Sequence, residues 1–166
     1  MPSFDYSLDF KTIDFRSSPE LYRIGKGEQG VLLVEPYKSE ILPYWRFKTP
    51  EIAKNSSEKI YQLFLDYLEK DDFVGADMAR KFLQMGYTRS RRYANHKGGR
   101  KYQSNPQKAT TEAEQKLLRQ QILPYQNDLI KAQSAEIFKE KWCQAKTNQK
   151  YLELKLKHQK MYEQRI

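Results

Sequence analysis

Thr49-Pro-Glu-Ile-Ala-Lys-Asn-Ser-Ser-Glu-Lys-Ile-Tyr-Gln-Leu-Phe-Leu-Asp-Tyr-Leu-Glu-Lys70 carries both a helix start and a buried face. Thr49 suits the N-cap, Pro50 the first helical position and Glu51 the positive end of the helix dipole. Ile52, Ser56, Ile60, Leu63, Phe64 and Tyr67 then recur at steps of three and four, the period of a stripe along one side of a helix. The helix is expected to run to about Lys70. Asp71-Asp72 supplies the next cap, and Val74, Met78, Phe82 and Met85 repeat the period up to Gly86, which reads as the end of the second helix.

Working outward, Thr88 caps a third, short helix from Arg89 to about His96, before Gly98-Gly99. Residues 98–110 read as a loop. Thr110 or Thr111 opens a helix that ends near Pro124, and Phe138, Trp142, Ala145, Leu152 and Leu156 continue the helical period, giving a long carboxyl-terminal helix or two stacked ones. The first 48 residues look irregular. Ser18-Pro19-Glu20 opens a helical turn through Tyr22, Val31 to Val34 is a strand candidate, and a short helix near Ser39 turns Ile41, Leu42, Trp45 and Phe47 inward. The expected fold is mainly α within an α+β class: one domain over residues 1–166, with a short β hairpin or strand pair near the amino terminus packed on helices.

The 166 residues suffice for a core without disulfides or metals. Apolar residues are only 39% of the chain, so burial must come from large side chains: 12 Tyr, 8 Phe and 2 Trp. One cysteine, Cys143, excludes an internal disulfide, and two histidines leave no zinc constellation. No cofactor motif is expected either. The longest aliphatic run, Val31 to Val34, is too short for a signal sequence or a membrane span. A reducing, cytoplasmic setting away from membranes is the expectation.

The net charge of +9 is unevenly placed: residues 1–71 are net −2, residues 72–101 net +6 and residues 102–166 net +5. From Arg80 to Lys101 there are eight cations, Arg80, Lys81, Arg89, Arg91, Arg92, Lys97, Arg100 and Lys101, and no acid, with Tyr87, Tyr93 and Tyr102 interleaved. Arginine forks bind phosphate and tyrosine rings stack on bases, so the segment has the chemistry of a nucleic-acid surface. A helix starting at Thr88 would add backbone N–H groups as an anion site, and His96 to Lys101 would follow as a mobile basic loop. The competing reading makes the arginines internal struts: Arg80, Arg89 or Arg92 paired with Glu28, Glu35, Glu40 or Asp66, with Tyr87 and Tyr93 in the core.

Gly25-Lys-Gly-Glu-Gln-Gly30 spells G-x-G-x-x-G, but a strand candidate follows it where the dinucleotide fingerprint needs a helix. It reads as a glycine turn, with a phosphate loop through Lys26 as the alternative. His96, beside Arg92 and Lys97, has the chemistry of a general base on a phosphoryl substrate, against a capping or surface role. Cys143 beside Trp142 reads as a buried free thiol.

The run Gly30-Val-Leu-Leu-Val-Glu-Pro-Tyr-Lys-Ser-Glu-Ile-Leu-Pro43, with Trp45-Arg-Phe-Lys-Thr-Pro50, and the longer run Asp77 to Tyr102 through Gly86-Tyr-Thr-Arg-Ser-Arg-Arg-Tyr-Ala-Asn-His-Lys-Gly-Gly-Arg-Lys101, resemble the family known as domain of unknown function 4385. Ala135-Glu-Ile-Phe138 to Met161-Tyr162 is similar to its carboxyl-terminal part. The resemblance implies one compact domain of a kind found in bacteria, fungi and viruses, including cyanobacterial phages. It brings no activity and no catalytic residues.

The leading expectation is a noncatalytic protein that binds DNA or RNA, with Arg89, Arg91, Arg92, Lys97, Arg100 and Lys101 on phosphates, His96 beside them, and Tyr87 or Tyr93 stacking. One rival is an adaptor or a phage or host regulator that docks a protein partner through the long carboxyl-terminal helix and the aromatic amino terminus. The other is an enzyme on a phosphorylated substrate, with His96 and the arginines around a pocket; a deep cleft holding His96 and a carboxylate would favour it.

Overall fold

The computed structural model describes residues 3–125 and 127–163. After an amino-terminal run of turns come α1 (Tyr37–Ile41), α2 (Pro50–Glu69), α3 (Phe73–Asn95), α4 (Glu112–Gln120), α5 (Leu129–Lys146) and α6 (Gln149–His158). α2 and α3 form a helical hairpin, α5 packs across both, and α6 closes the core against α3.

The local signals that start the helices act as the sequence implies. Thr49 Oγ1 accepts from the Ile52 N–H (3.2 Å) at the head of α2. Asp72 accepts from the Gly75 N–H (3.1 Å) at the head of α3, and Thr111 from the Glu114 N–H (3.1 Å) at α4. Each satisfies a backbone donor that the first helical turn leaves free. Ile60, Phe64 and Tyr67 line the buried side of α2, whereas Ile52 is exposed. Ser56 belongs on that side because its hydroxyl donates to the Tyr44 carbonyl (2.6 Å) and accepts from the Arg46 N–H (2.9 Å), tying down the segment before the helix.

Gly86 does not end a helix. α3 runs unbroken for 23 residues, from Phe73 to Asn95. The glycine serves packing: a Cβ at Gly86 would lie 2.2 Å from Phe138 Cδ1, so its absence lets α5 press its phenyl ring onto the α3 backbone. The short helix expected from Arg89 to His96 is therefore the last part of α3, and Thr88 caps nothing.

The amino-terminal strand is also absent. At Val31 to Val34 the Val31 N–H donates to the Glu28 carbonyl (3.2 Å), Leu33 to Gly30 (3.0 Å), and Val34 accepts from Lys38 (2.9 Å). These local bonds use the backbone groups a ladder would need. Val31 and Val34 face inward, three residues apart, while Leu32 is exposed, so the apolar run follows a turn period and not an alternation. Gly30 sits at φ +79°, with the Phe4 ring where its Cβ would be. The expected hairpin or strand pair is thus replaced by turns, and among the described residues the β pairing is a single bridge between Tyr102 and Ile122. The fold is helical.

The carboxyl-terminal pattern resolves into two helices, with Thr147 capping α5 and Asn148 opening α6. Phe138 and Ala145 are buried as expected, but Leu152 and Leu156 are exposed. Among the described residues no helix is long and apolar enough to cross a membrane.

A polar cluster lies at the centre of the core. Asp77 on α3 is fully buried and accepts from Arg80 Nη2 (2.6 Å), from Tyr151 (2.6 Å) on α6 and from Tyr22 in the amino-terminal turns. Burial pushes its carboxyl up, but Arg80, Lys81 and the two phenols outweigh that and bring it down to about 2. Arg80 also donates to the Gly27 carbonyl (2.5 Å) and Lys81 to that of Gln29 (2.6 Å). The G-x-G-x-x-G segment is thus a glycine turn whose carbonyls receive two core cations.

Candidate nucleic-acid interface

α3 divides the basic segment between two environments. Its buried positions after Lys81 include Phe82, Gly86, Ser90 and Ala94, four residues apart, so Thr88, Arg89, Arg92 and Tyr93 fall on the opposite, exposed side. Arg80 and Lys81 are struts, but with Asp77 as partner rather than the acids the sequence brings to mind. Arg89, Arg91 and Arg92 point away from the core and make no ion pair among the described residues.

The anion site expected at Thr88 does not form, since the N–H groups of residues 88–92 lie in a helix interior. Thr88 Oγ1 instead bonds the Glu28 carboxylate (3.0 Å).

Beyond α3 the chain folds back as an arm. His96 takes an extended conformation at the helix end, its N–H donating to the Arg92 carbonyl (2.9 Å), and a 3-10 turn spans Lys97–Gly99 with both glycines at positive φ. The arm closes on itself where the Gln103 N–H donates to the Gln121 carbonyl (2.9 Å) and Leu123 to Lys101 (2.8 Å). The Asp128 N–H then donates to the Ala94 carbonyl (2.8 Å), bringing the chain back to α3 at the start of α5. The stretch read as a mobile loop is a built turn and a bridge.

Between α3 and this arm lies a cleft of about 520 Å³ lined by Arg89 and Arg92 from the helix, Arg100, Lys101 and Tyr102 from the arm, and Arg119 from α4. A second cavity of about 240 Å³ adjoins it, sharing Arg92 and Lys101 and adding Arg91 and His96. Among the described residues no carboxylate lines either one. Lys97 is exposed but lines neither.

The tyrosines are placed differently from the expectation. Tyr87 lines the smaller cavity and stacks on Trp142 at 5.7 Å between ring centres, with Lys139 over the ring. Tyr93 packs against Phe47 at 5.5 Å and against Gly99. Both rings already serve packing. Tyr102 is half-buried and lines the larger cleft, with Lys101 Nζ 5.4 Å from its ring centre. Arg119 lies 18 residues beyond Lys101 and joins the cleft only because Tyr102 pairs with Ile122. An amphipathic helix with an arginine near its end gives no local sign of that.

His96 is neither a surface residue nor beside an acid. It is only 7% exposed, lies edge-on to Tyr125, and its Nδ1 has no hydrogen-bond partner among the described residues. Among those residues no three His, Cys, Asp or Glu side chains group to hold a metal ion.

The family "Domain of unknown function (DUF4385)" matches residues 5–161. The chain belongs to that family. Its match takes in α3, the arm, α4 and α5, and so the whole of both cavities. No curated protein and no solved structure matches this family member.

Proposed function

We propose that this member of the family is a noncatalytic nucleic-acid-binding protein that holds a phosphate backbone between the end of α3 and the arm. One observation carries the reading: two adjoining cavities share Arg92 and Lys101, gather Arg89, Arg91, Arg100 and Arg119 around them, and have no carboxylate among the described residues of their lining. Arg89 and Arg92 lie within electrostatic reach of Glu28 but form no ion pair with it among the described residues, which leaves their guanidinium groups open to bidentate phosphate contacts. Tyr102 adds a ring for a base. His96 has arginines and a lysine around it but no carboxylate, which favours binding over acid–base chemistry. A cytoplasmic setting goes with this reading, as does the free thiol of Cys143.

The test is fluorescence anisotropy with labelled single-stranded DNA, duplex DNA and RNA across a salt titration. Six phosphate contacts correspond to a log-log salt slope of about −4 on a single strand and about −5 on a duplex. A slope near zero sinks the proposal.

A second reading has its own observation. α4 is amphipathic but buries none of its residues, and Leu117, Ile122, Tyr125, Leu129 and Ile130 are exposed along and after it. With Leu152, Leu156 and Met161 on α6 and the turn beyond it also exposed, a protein partner is the alternative. Absence of nucleic-acid binding at low salt, together with stable self-association, favours it.

A further inference from the structure

The geometry points to the smaller cavity as a pocket for a nucleoside phosphomonoester, a phosphate at the end of a strand or on a free nucleotide. The inference rests on the polyanion reading of the larger cleft and assigns its neighbour a distinct job.

Charge is the first argument. Arg91, Arg92 and Lys101 surround one cavity of about 240 Å³. A phosphodiester within a strand brings a single negative charge per phosphate, whereas a terminal monoester carries about −1.5 to −2 at neutral pH. Three cations around one small space match the terminal group better. The volume is about that of eight water molecules in the liquid, room for a phosphate and part of its sugar.

The second argument is His96. Its ring lines the cavity, 93% of its surface is hidden, and Nδ1 meets no partner among the described residues. A buried polar atom left unpaired costs about 1–3 kcal/mol, and Nδ1, itself shut off from solvent, recovers that cost from a ligand oxygen when the ring turns toward the cavity its residue lines. Arg91 is held in place, its Nη2 donating to Asn95 Oδ1 at 3.2 Å from one helical turn further on. Glu28, which bonds Thr88 and lies within electrostatic reach of Arg92, is not itself part of the lining.

Continuity is the third. Arg92 and Lys101 belong to both cavities, so a strand whose terminal phosphate sits by His96 passes between the same two cations into the larger cleft.

The experiment compares one oligonucleotide sequence with a 5′-phosphate, a 3′-phosphate or neither, and competes each with adenosine 5′-monophosphate or adenosine. One phosphorylated end is expected to bind at least about ten-fold more tightly than the unphosphorylated strand, the effect of one charge-assisted hydrogen bond. His96→Leu removes that preference and leaves the unphosphorylated strand's affinity unchanged. His96→Asn, whose amide places an N–H close to where Nδ1 lies, restores part of it. Lys101→Ala, a partly exposed position shared by both cavities, weakens all three strands and narrows the gap between the phosphorylated and unphosphorylated ones if His96→Leu fails to fold by circular dichroism.

Equal affinity for all three strands overturns the pocket and leaves nucleic-acid binding standing. Binding of adenosine 5′-monophosphate but of no oligonucleotide upholds the pocket and overturns the nucleic-acid reading. No binding of any phosphorylated probe overturns both.

Discussion

Phe138 lies flat against the backbone of Gly86, so close that a Cβ on the glycine would fall 2.2–2.5 Å from three carbons of the ring. This contact sets the distance between α3 and α5, the two helices that hold the core and one wall of the cleft. Gly86→Ala gains about 1 kcal/mol of helix propensity but forces overpacking that costs about 1–3 kcal/mol. A lower melting temperature is expected, and Gly86→Ala combined with Phe138→Leu should recover part of it. An increase in stability from the single substitution would mean that α5 can shift away freely.

Arg80 and Arg119 should respond in opposite ways to substitution. Arg80→Met removes the main partner of a fully buried carboxylate, a change that costs about 3–5 kcal/mol and is expected to unfold much of the protein in thermal melts. Arg119→Ala touches an exposed side chain and should leave the melt within about 0.5 kcal/mol while flattening the salt dependence of binding by about one phosphate.

Lys81 makes stability depend on alkaline pH. Burial lowers its pKa from 10.5 to about 7, partly offset by Asp77, while Arg80 lowers it further and distant Glu163 raises it. Tyr22 and Phe4 place their rings against the ammonium, and the Gln29 carbonyl accepts from it. Between about 7 and 10.5 the unfolded chain holds this proton and the folded chain does not, so the lysine's contribution to stability rises with pH across that interval. Tyr22, Tyr37, Tyr67 and Tyr151 oppose it near and above 10, because their phenols are held protonated in the fold, chiefly by burial and neighbouring carboxylates. Denaturant midpoints should therefore climb from pH 7 to about 9, and Lys81→Met should flatten the climb.

At the acid end Asp77 gives the complementary behaviour. Its folded pKa of about 2 lies below the ordinary 3.8, so its contribution is complete above about 4 and is lost as pH falls through 2. Asp77→Asn should remove that dependence, at the cost of leaving Arg80 and Lys81 without a counter-charge. Acid titrations of the two proteins that superimpose below pH 4 would place the acid sensitivity elsewhere.

Much of the helical frame is legible in the sequence because its signals are local. Thr49, Asp72 and Thr111 act within three residues of themselves, and the stripes on α2 and α3 depend only on period. Gly86 was not legible, since a helix stop and a close helix crossing both require glycine and differ only in what comes from residue 138. Val31 to Val34 misled for a related reason: four apolar residues suit a strand or a turn, and Gly30 with the Phe4 ring decides between them. Among the site residues, Arg89, Arg91, Arg92, Arg100 and Lys101 were visible as a run of charge, and their separation from Arg80 and Lys81 follows from helical phase. Arg119 and the role of Tyr102 depend on a backbone pairing between residues 102 and 122, which leaves no mark on either segment alone.

The Asp77 carboxylate draws its phenols from Tyr22 and Tyr151, positions 129 residues apart in the chain. During synthesis on the ribosome Tyr22 emerges first and Asp77 next, and neither arrangement is complete until the α6 tyrosine has left the exit tunnel. Until then a nascent chain carries an aspartate, an arginine and a lysine meant for a dry interior, still hydrated and free to find other neighbours. The core's charge cluster is therefore completed only by the arrival of α6, and a ribosome stalled before residue 151 would present an α2–α3 hairpin whose central charges are unsealed.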